Sequence, residues 1–297
     1  MALIDRGLDS LLRATLLHLR PYLDDIVVIG GVANALLRHH PLAASTDIPV
    51  LGTTDIDLAT LERISRKGRP PLTDLLRDAG VAPTYQPEHS PPVIKFVGKA
   101  DPNLEIEFLC PLKGSEYRRS GKRQVAASIQ EDVTAQQLRY LDLLLFEPWS
   151  LDAHQVPVLK SLPTRTVVRL PNPASFVMQK VLIRSQGRSP AHCEKDCGYI
   201  YETAVTFRDA VPELSALASR LKNHVSKSWW QRFDRDFRAL FGGPDAPGPV
   251  AATRQHNAAR SGRAGTARVT EAMVYQSVDK LAVALLGPRR LASGKGT

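Results

Sequence analysis

Two aspartates that stand one residue apart are the first candidates for chemistry in this sequence. Asp55 and Asp57 lie in the stretch TTDIDL, which reads as a strand. Because strand side chains alternate between faces, both carboxylates point the same way, while Ile56 and Leu58 point toward a core. Carboxylates about 7 Å apart on one strand repel each other unless a cation lies between them. Mg²⁺ takes carboxylate, water and phosphate oxygens as ligands, so the pair predicts a magnesium site.

A pair of glycines lies shortly before the aspartates. Gly30 and Gly31 follow the apolar run IVVI and precede VANALL, which predicts a strand over 26–30 and a helix over 31–39. A glycine turn at the start of a helix lets backbone N–H groups approach a phosphate without a Cβ in the way. The alternative is a tight turn that needs a positive φ or close packing, and both uses are compatible. A loop over 41–53 and a strand over 55–59 follow.

The order of strand, Gly-Gly, short helix and Thr-x-Asp-x-Asp resembles the nucleotidyltransferase superfamily that includes DNA polymerase beta. The resemblance is nearest to the minimal prokaryotic members and to the toxin-type enzymes of toxin–antitoxin systems. It implies an α/β (α+β) fold, with a small mixed sheet, flanking helices and a helical C-terminal region. It also implies two Mg²⁺ ions and transfer of a nucleoside monophosphate from ATP or another NTP to an acceptor.

The resemblance also implies roles for the motif residues. Asp55 and Asp57 would bind both metal ions, and Gly30 and Gly31 would bind the triphosphate through their amides. Many relatives have a serine at the second glycine position, and its hydroxyl contacts a phosphate. Thr53 is the residue that we expect to make this contact here. Asn34 is the other candidate for the same role.

A third acid is expected on a neighbouring strand. Residues 93–97 and 104–109 read as a hairpin around the turn ADPN. On its second strand Glu105 and Glu107 share one face, opposite the apolar residues. The run EFLCP resembles the family's acid followed by two apolar residues and a short exit, although most members have aspartate. We therefore assign Glu107 as the third catalytic and metal-binding acid, with Glu105 as the alternative.

The second half of the chain is predicted to be mainly helical. Strands are expected over 138–147 and 165–170, and residues 242–266 read as a linker or loop. Helices are expected over 174–184, 193–207, 211–222, 226–241 and 268–286. The sequence thus predicts a catalytic domain over 1–170, a helical domain over 171–288 and a basic tail over 289–297.

One lysine of the helical part also matches the family order. The segments MQKVLIRSQGR and EKDCGYI resemble a helix that carries a lysine, followed by a Lys-Asp pair that opens the next helix. Lys180 would hold the triphosphate, with Arg184 on the same helix face. Asp196 would orient a lysine or bind the acceptor. The alternative is a surface lysine and a helix-starting acid that the helix dipole favours, and the two readings are evenly balanced.

Composition and charge indicate the class of partner and the compartment. The chain of 297 residues has a net charge of +9, which suits a nucleotide or RNA. It has no apolar run of membrane-spanning length, no signal-peptide pattern and only three cysteines, so a cytoplasmic protein is expected. A structural zinc site usually needs four ligands, and His192, Cys193 and Cys197 are only three. We therefore expect no zinc site here.

The acceptor stays open between tRNA or another RNA, a protein and a small molecule. A cognate antitoxin or other protein is a further partner that the resemblance implies. A catalytically silent nucleotide- or RNA-binding module with the same fold is the alternative to an enzyme. The replacement of serine by Gly31 and of aspartate by Glu107 favours this alternative mildly.

Overall fold

A mixed sheet lies at the centre of the computed structural model, which describes residues 3–61, 63–86, 92–117, 125–260 and 268–288. Within these residues seven strands form the sheet, which confirms the predicted α/β (α+β) class. They are β1 (Ile26–Ile29), β2 (Asp55–Thr60), β3 (Val81–Gln86), β4 (Val93–Gly98), β5 (Glu105–Pro111), β6 (Ala126–Gln130) and β7 (Val133–Leu138).

The strand order brings the predicted motif strands side by side. The order is β1-β2-β5-β4-β3, and β7 also pairs with β5 while β6 pairs with β7. Strands β2 and β5 are parallel, as are β5 and β7, and the other pairs are antiparallel. The predicted hairpin is confirmed as β4 and β5, which pair antiparallel.

Helices flank the sheet and make up most of the second half. The first three are α1 (Arg6–His18), α2 (Gly30–Leu37) and α3 (Leu72–Asp78). The later ones are α4 (Pro173–Ile183), α5 (Pro190–Thr206), α6 (Val211–His224), α7 (Lys227–Leu240), α8 (Pro247–Arg260) and α9 (Glu271–Leu286). The predicted helical C-terminal region is therefore confirmed. No helix among the described residues has both the length and the apolar character needed to cross a bilayer.

The two faces of the sheet are covered differently. Ile56, Ile106 and Phe108 are fully buried in a large apolar core on one face. The opposite face carries a smaller apolar cluster, in which Phe176 of α4 and Tyr199 of α5 cover the ends of the central strands. Because side chains alternate along a strand, Asp55 and Asp57 share the face of this smaller cluster. That face therefore carries both the smaller apolar cluster and the acidic side chains.

Two of the expected elements, the strand over 138–147 and the linker over 242–266, are wrong. Residues 138–147 are not a strand, because β7 ends at Leu138, Tyr140 has a left-handed backbone (φ 62°) and a 3₁₀ turn (Leu141–Leu145) follows. Residues 165–170 contain the expected strand, but it does not extend the main sheet. Their strand β9 (Val167–Leu170) pairs instead with β8 (Trp149–Asp152) in a separate two-stranded sheet.

The predicted linker over 242–266 contains helix α8. The prolines that suggested a loop stand in the helix's first turn, where proline replaces an N–H that has no partner within the helix. Ala251, Ala252 and His256 form the buried side of this helix, which packs on α5. The predicted tail over 289–297 lies outside the described residues. The division into two domains near residue 170 stays a prediction.

Candidate active site

The acidic residues meet through the register of three strands. Asp57 pairs with Ile29 at the end of β1 and with Glu107 on β5. Asp55 stands opposite Glu105 in the same parallel pair. Since β2 and β5 run in the same direction and in register, the four carboxylates lie on one face of the sheet. The acidic ladder of the sequence therefore spans two adjacent strands.

The glycine turn lies directly against this ladder. Gly30 begins α2 with a φ of 67°, and a Cβ at this position would overlap the carboxylate of Asp57. A Cβ on Gly31 would lie 2.6 Å from the Tyr199 hydroxyl and 2.8 Å from Thr53 Cβ. The N-cap residue of α2 is Ile29, whose side chain cannot accept a hydrogen bond from the first N–H groups of the helix. Both glycine positions thus require a residue without a side chain.

The two candidates for the missing serine contact are already engaged. The Thr53 hydroxyl donates a hydrogen bond to Asp55 Oδ1, so Thr53 positions a carboxylate. The Asn34 amide donates a hydrogen bond to the buried carboxylate of Glu202, which is not part of the acidic ladder. Of the two residues, Thr53 lines the cleft and Asn34 does not.

Crowding of the carboxylates changes the ionisation of Asp57. Burial raises its pKa from 3.8 to about 7, and the charges of Asp55 and Glu107 add to this effect. Lys180 and Arg188 oppose it. The ionised form of Asp57 is therefore disfavoured by its surroundings.

Cations approach the acids from the helical region. Lys180 of α4 lies 2.9 Å (Nζ to Oδ1) from Asp196 of α5, whose side chain is fully buried. Arg188 contacts the other oxygen of Asp196, at 2.6 Å from Nε. Asp196 thus fixes two cations at the cleft, which agrees with the orienting role expected for it. Lys195 also lines the cleft, and burial lowers its pKa.

Arg184 does not join Lys180 at the cleft. Its guanidinium donates to the carbonyl oxygen of Cys193 at 2.6 Å and to the sulfur of Cys197 at 3.3 Å. Arg184 therefore ties α4 to the start of α5 and does not line the cleft.

On the opposite side, a lysine of the hairpin faces the ladder. Lys95 of β4 pairs across the strands with Glu107. Its ammonium lies 2.9 Å from Glu105 Oε2 and also contacts Glu107 Oε1. Burial lowers the pKa of Lys95, but its hydrogen bonds with the two glutamates outweigh this and raise the pKa overall.

The glycine turn and the acidic ladder line one cleft of about 520 Å³, together with Lys95, Lys180, Arg188 and Lys195. The predicted site residues that line it are Gly30, Gly31, Thr53, Asp55, Asp57, Glu107 and Lys180. A second cavity of about 280 Å³ shares Gln136, Arg188 and His192 with the cleft and lies toward β7. Since β7 is on the far side of β5 from the glycine turn, this second cavity adjoins the cleft on the side away from the turn.

A comparison with known protein families gives a match. A family model described as Nucleotidyltransferase matches residues 16–221, well over half of the chain. The chain belongs to this nucleotidyltransferase family. Membership means a transferase that uses a nucleotide as substrate. The match covers the glycine turn, the acidic ladder and α5. No curated protein and no solved structure matches this chain.

The acids of this nucleotidyltransferase fit a hard divalent cation by their chemistry. Three carboxylates from adjacent strands supply the oxygen ligands that Mg²⁺ prefers, and a cation beside Asp57 would offset the burial and the like charges that raise its pKa. Within the described ranges no three His, Cys, Asp or Glu side chains are already arranged to hold a metal ion. Glu107 is instead turned toward Lys95.

Sequence reasoning missed two cations of the site. Arg188 lies between two predicted helices and Lys95 lies on the first strand of the hairpin. Lys95 carried a usable signal, because it stands in the strand before the two glutamates, where an antiparallel hairpin places it beside them. Arg188 ends the basic segment MQKVLIRSQGR, but only the packing of α4 on α5 brings it to Asp196.

Proposed function

We propose that this protein transfers a nucleoside monophosphate from an NTP to an acceptor hydroxyl, with release of pyrophosphate and with the help of two Mg²⁺ ions. The observation that carries the proposal is the register of Asp57 between the glycine turn and Glu107. A triphosphate on the turn and an acceptor beyond β5 would then face each other across the carboxylates. Its chemistry would then be of the DNA polymerase beta-like type that the motif resembles.

The proposal gives each side chain a task. Asp55 and Asp57 would hold both ions, and Glu107 would hold the one nearer the acceptor. When bound, Mg²⁺ supplies positive charge that neutralises the reacting oxygens. The amides of Gly30 and Gly31 would position the triphosphate.

A separate group serves the leaving pyrophosphate. Lys180 would neutralise the negative charge that develops there, and Asp196 at 2.9 Å keeps its ammonium in place. Pre-positioned charge of this kind needs no rearrangement during the reaction.

The acceptor would approach from the cavity on the β7 side. Its hydroxyl would lie beside Glu107, whose carboxylate would take the proton as a general base. The net charge of +9 favours tRNA or another RNA over a neutral acceptor. A protein side chain and a small molecule are the other acceptors, and ATP is one of the candidate NTPs. A toxin-type role in the cytoplasm, with a cognate antitoxin as partner, also belongs to the proposal.

The test is label transfer from each α-³²P-labelled NTP in a cell lysate with Mg²⁺. We expect the label to run with one class of acceptor, and Asp57→Ala to abolish the transfer. The matched control is Asp47→Ala, because Asp47 is an exposed acid of the 41–53 loop. Undiminished transfer by the Asp57→Ala protein would exclude this site as the catalytic centre.

A binding module without turnover is the second candidate. The ion pair between Lys95 and Glu107 favours it, because that lysine already neutralises the third acid. Isothermal calorimetry separates the two functions. Tight NTP binding that is independent of Mg²⁺, without pyrophosphate release, supports the module, whereas Mg²⁺-dependent binding with turnover supports the enzyme.

A further inference from the structure

Lys95 is a cation held by two acids of the ladder at once. Its ammonium contacts Glu105 Oε2 at 2.9 Å and also reaches Glu107 Oε1. The lysine side chain is 22% exposed, and those of Glu105 and Glu107 are 34% and 17% exposed. Partly buried ion pairs are screened less by salt than exposed ones, so this contact affects the charge that Glu107 offers to the cleft.

A metal ion at Glu107 would compete with this lysine. An ammonium donates three hydrogen bonds and accepts none, so it cannot bind a cation and can only repel one. Asp55 and Asp57 do not contact Lys95 in the structure, and Thr53 supports Asp55 instead. The lysine therefore acts on one acid of the proposed metal-binding set.

Glu105 gives the ammonium an alternative anchor. It stands two residues before Glu107 on β5, on the same face, and the ammonium already contacts it. Glu107 can therefore release Lys95 without leaving a partly buried charge unpaired, which is the costly outcome when one partner of such a pair is lost.

We propose that Lys95 is an internal counter-ion that competes with the metal for Glu107 and withdraws to Glu105 when the metal binds. This inference rests on the proposed function. Lys95 is a positioning residue because it acts on the metal through Glu107. Glu105 acts through Lys95, by holding its ammonium when it leaves Glu107. The consequence is weak binding of a divalent cation at Glu107 until a nucleotide adds its own negative charge to the cleft.

The competition predicts effects of opposite sign for the two partners. Lys95→Met should tighten the metal site at Glu107 by about tenfold, because it removes a competing charge at contact distance. Glu105→Gln should weaken the same site by several-fold, because Lys95 then has only Glu107. In the double variant the Glu105→Gln effect should vanish, since no lysine remains to be redirected.

The experiment is a titration of the nucleotide-free protein with Mn²⁺, with free Mn²⁺ read from its electron paramagnetic resonance signal. The site at Glu107 is identified as the one lost in Glu107→Gln. Lys99→Met is the matched control, because it removes the same charge from an exposed position just after β4. Circular dichroism and urea unfolding show that each variant is folded before its titration is interpreted.

The outcomes separate this inference from the proposed function. If Lys95→Met leaves the affinity within twofold of the Lys99→Met control, or weakens it, the counter-ion role is refuted while the metal site stands. If Glu105→Gln weakens binding equally with and without Lys95, Glu105 is itself a ligand and the inference is again refuted. If the wild-type protein shows no Mn²⁺ binding that is lost in Asp57→Asn, the proposed function itself fails.

Discussion

Replacement of Asp57 by asparagine is expected to stabilise the metal-free protein at neutral and higher pH. Burial, together with the charges of Asp55 and Glu107, raises the pKa of Asp57 from 3.8 to about 7. The folded state therefore binds this proton more tightly than the unfolded chain does. Through this group, stability falls as the pH rises from about 4 to about 7 and stays lower above that range.

The magnitude follows from the pKa change. Each pKa unit corresponds to about 1.36 kcal/mol, so a rise from 3.8 to about 7 corresponds to at most about 4 kcal/mol. Asp57 lines an open cleft, where water screens its charge, and we therefore expect a gain of about 1–3 kcal/mol in the free energy of unfolding. Asparagine keeps the size of the side chain and removes only the charge.

The assay is urea unfolding followed by tryptophan fluorescence in the presence of a chelator, at about pH 5 and about pH 8. The gain of Asp57→Asn over wild type should be smaller at the lower pH than at the higher one. Asp47→Asn, an exposed acid, controls for the loss of one negative charge. Added Mg²⁺ should stabilise the wild type at pH 8 and leave the variant nearly unchanged.

Two results would refute this reasoning. An Asp57→Asn protein that is no more stable than wild type at pH 8 would show that the ionised carboxylate does not destabilise the folded state. An equal gain at both pH values would show that the effect does not come from ionisation.

Three further predictions concern the supports of the site. Gly30→Ala should destabilise the protein by about 1–2 kcal/mol and abolish activity, because its φ is 67° and its Cβ would overlap a carboxylate; thermal unfolding and label transfer check this. Lys180→Met should cost about 3 kcal/mol, since it removes one partner of the buried Asp196; urea unfolding measures the loss. Glu202→Gln should cost about 2–4 kcal/mol, since Arg38, 2.9 Å from Glu202 Oε2, loses its buried counter-charge; the same assay applies.

Each of these variants has a matched control at an open or exposed position. They are Gly52→Ala, which has no neighbour within 4 Å of the added Cβ, Lys160→Met and Glu213→Gln. A control that loses as much stability as its partner would contradict the argument from burial.

Much of the sheet was predictable because its signals are local. The alternation around Asp55 and Asp57 and the hairpin around residues 100–103 depend on neighbours in the chain, and the strands form where they were predicted. The errors arise where local signals conflict with packing. The leucines of 138–147 have the composition of a strand, yet the left-handed Tyr140 turns them into a 3₁₀ segment. The prolines of 247–249 suggested a loop, yet they are compatible with the start of a helix.

The sequence by itself determined the chemical groups and their spacing along each strand: two aspartates on one face, a glycine pair before a helix and two alternating glutamates. These follow from the fixed periodicity of strands and the absence of a glycine side chain. Only the tertiary structure decided which charges meet. The parallel register of β2 and β5 sets Asp57 beside Glu107, and the packing of α4 on α5 joins Lys180 and Arg188 at Asp196. Such pairings depend on long-range contacts, whose partners no local pattern specifies.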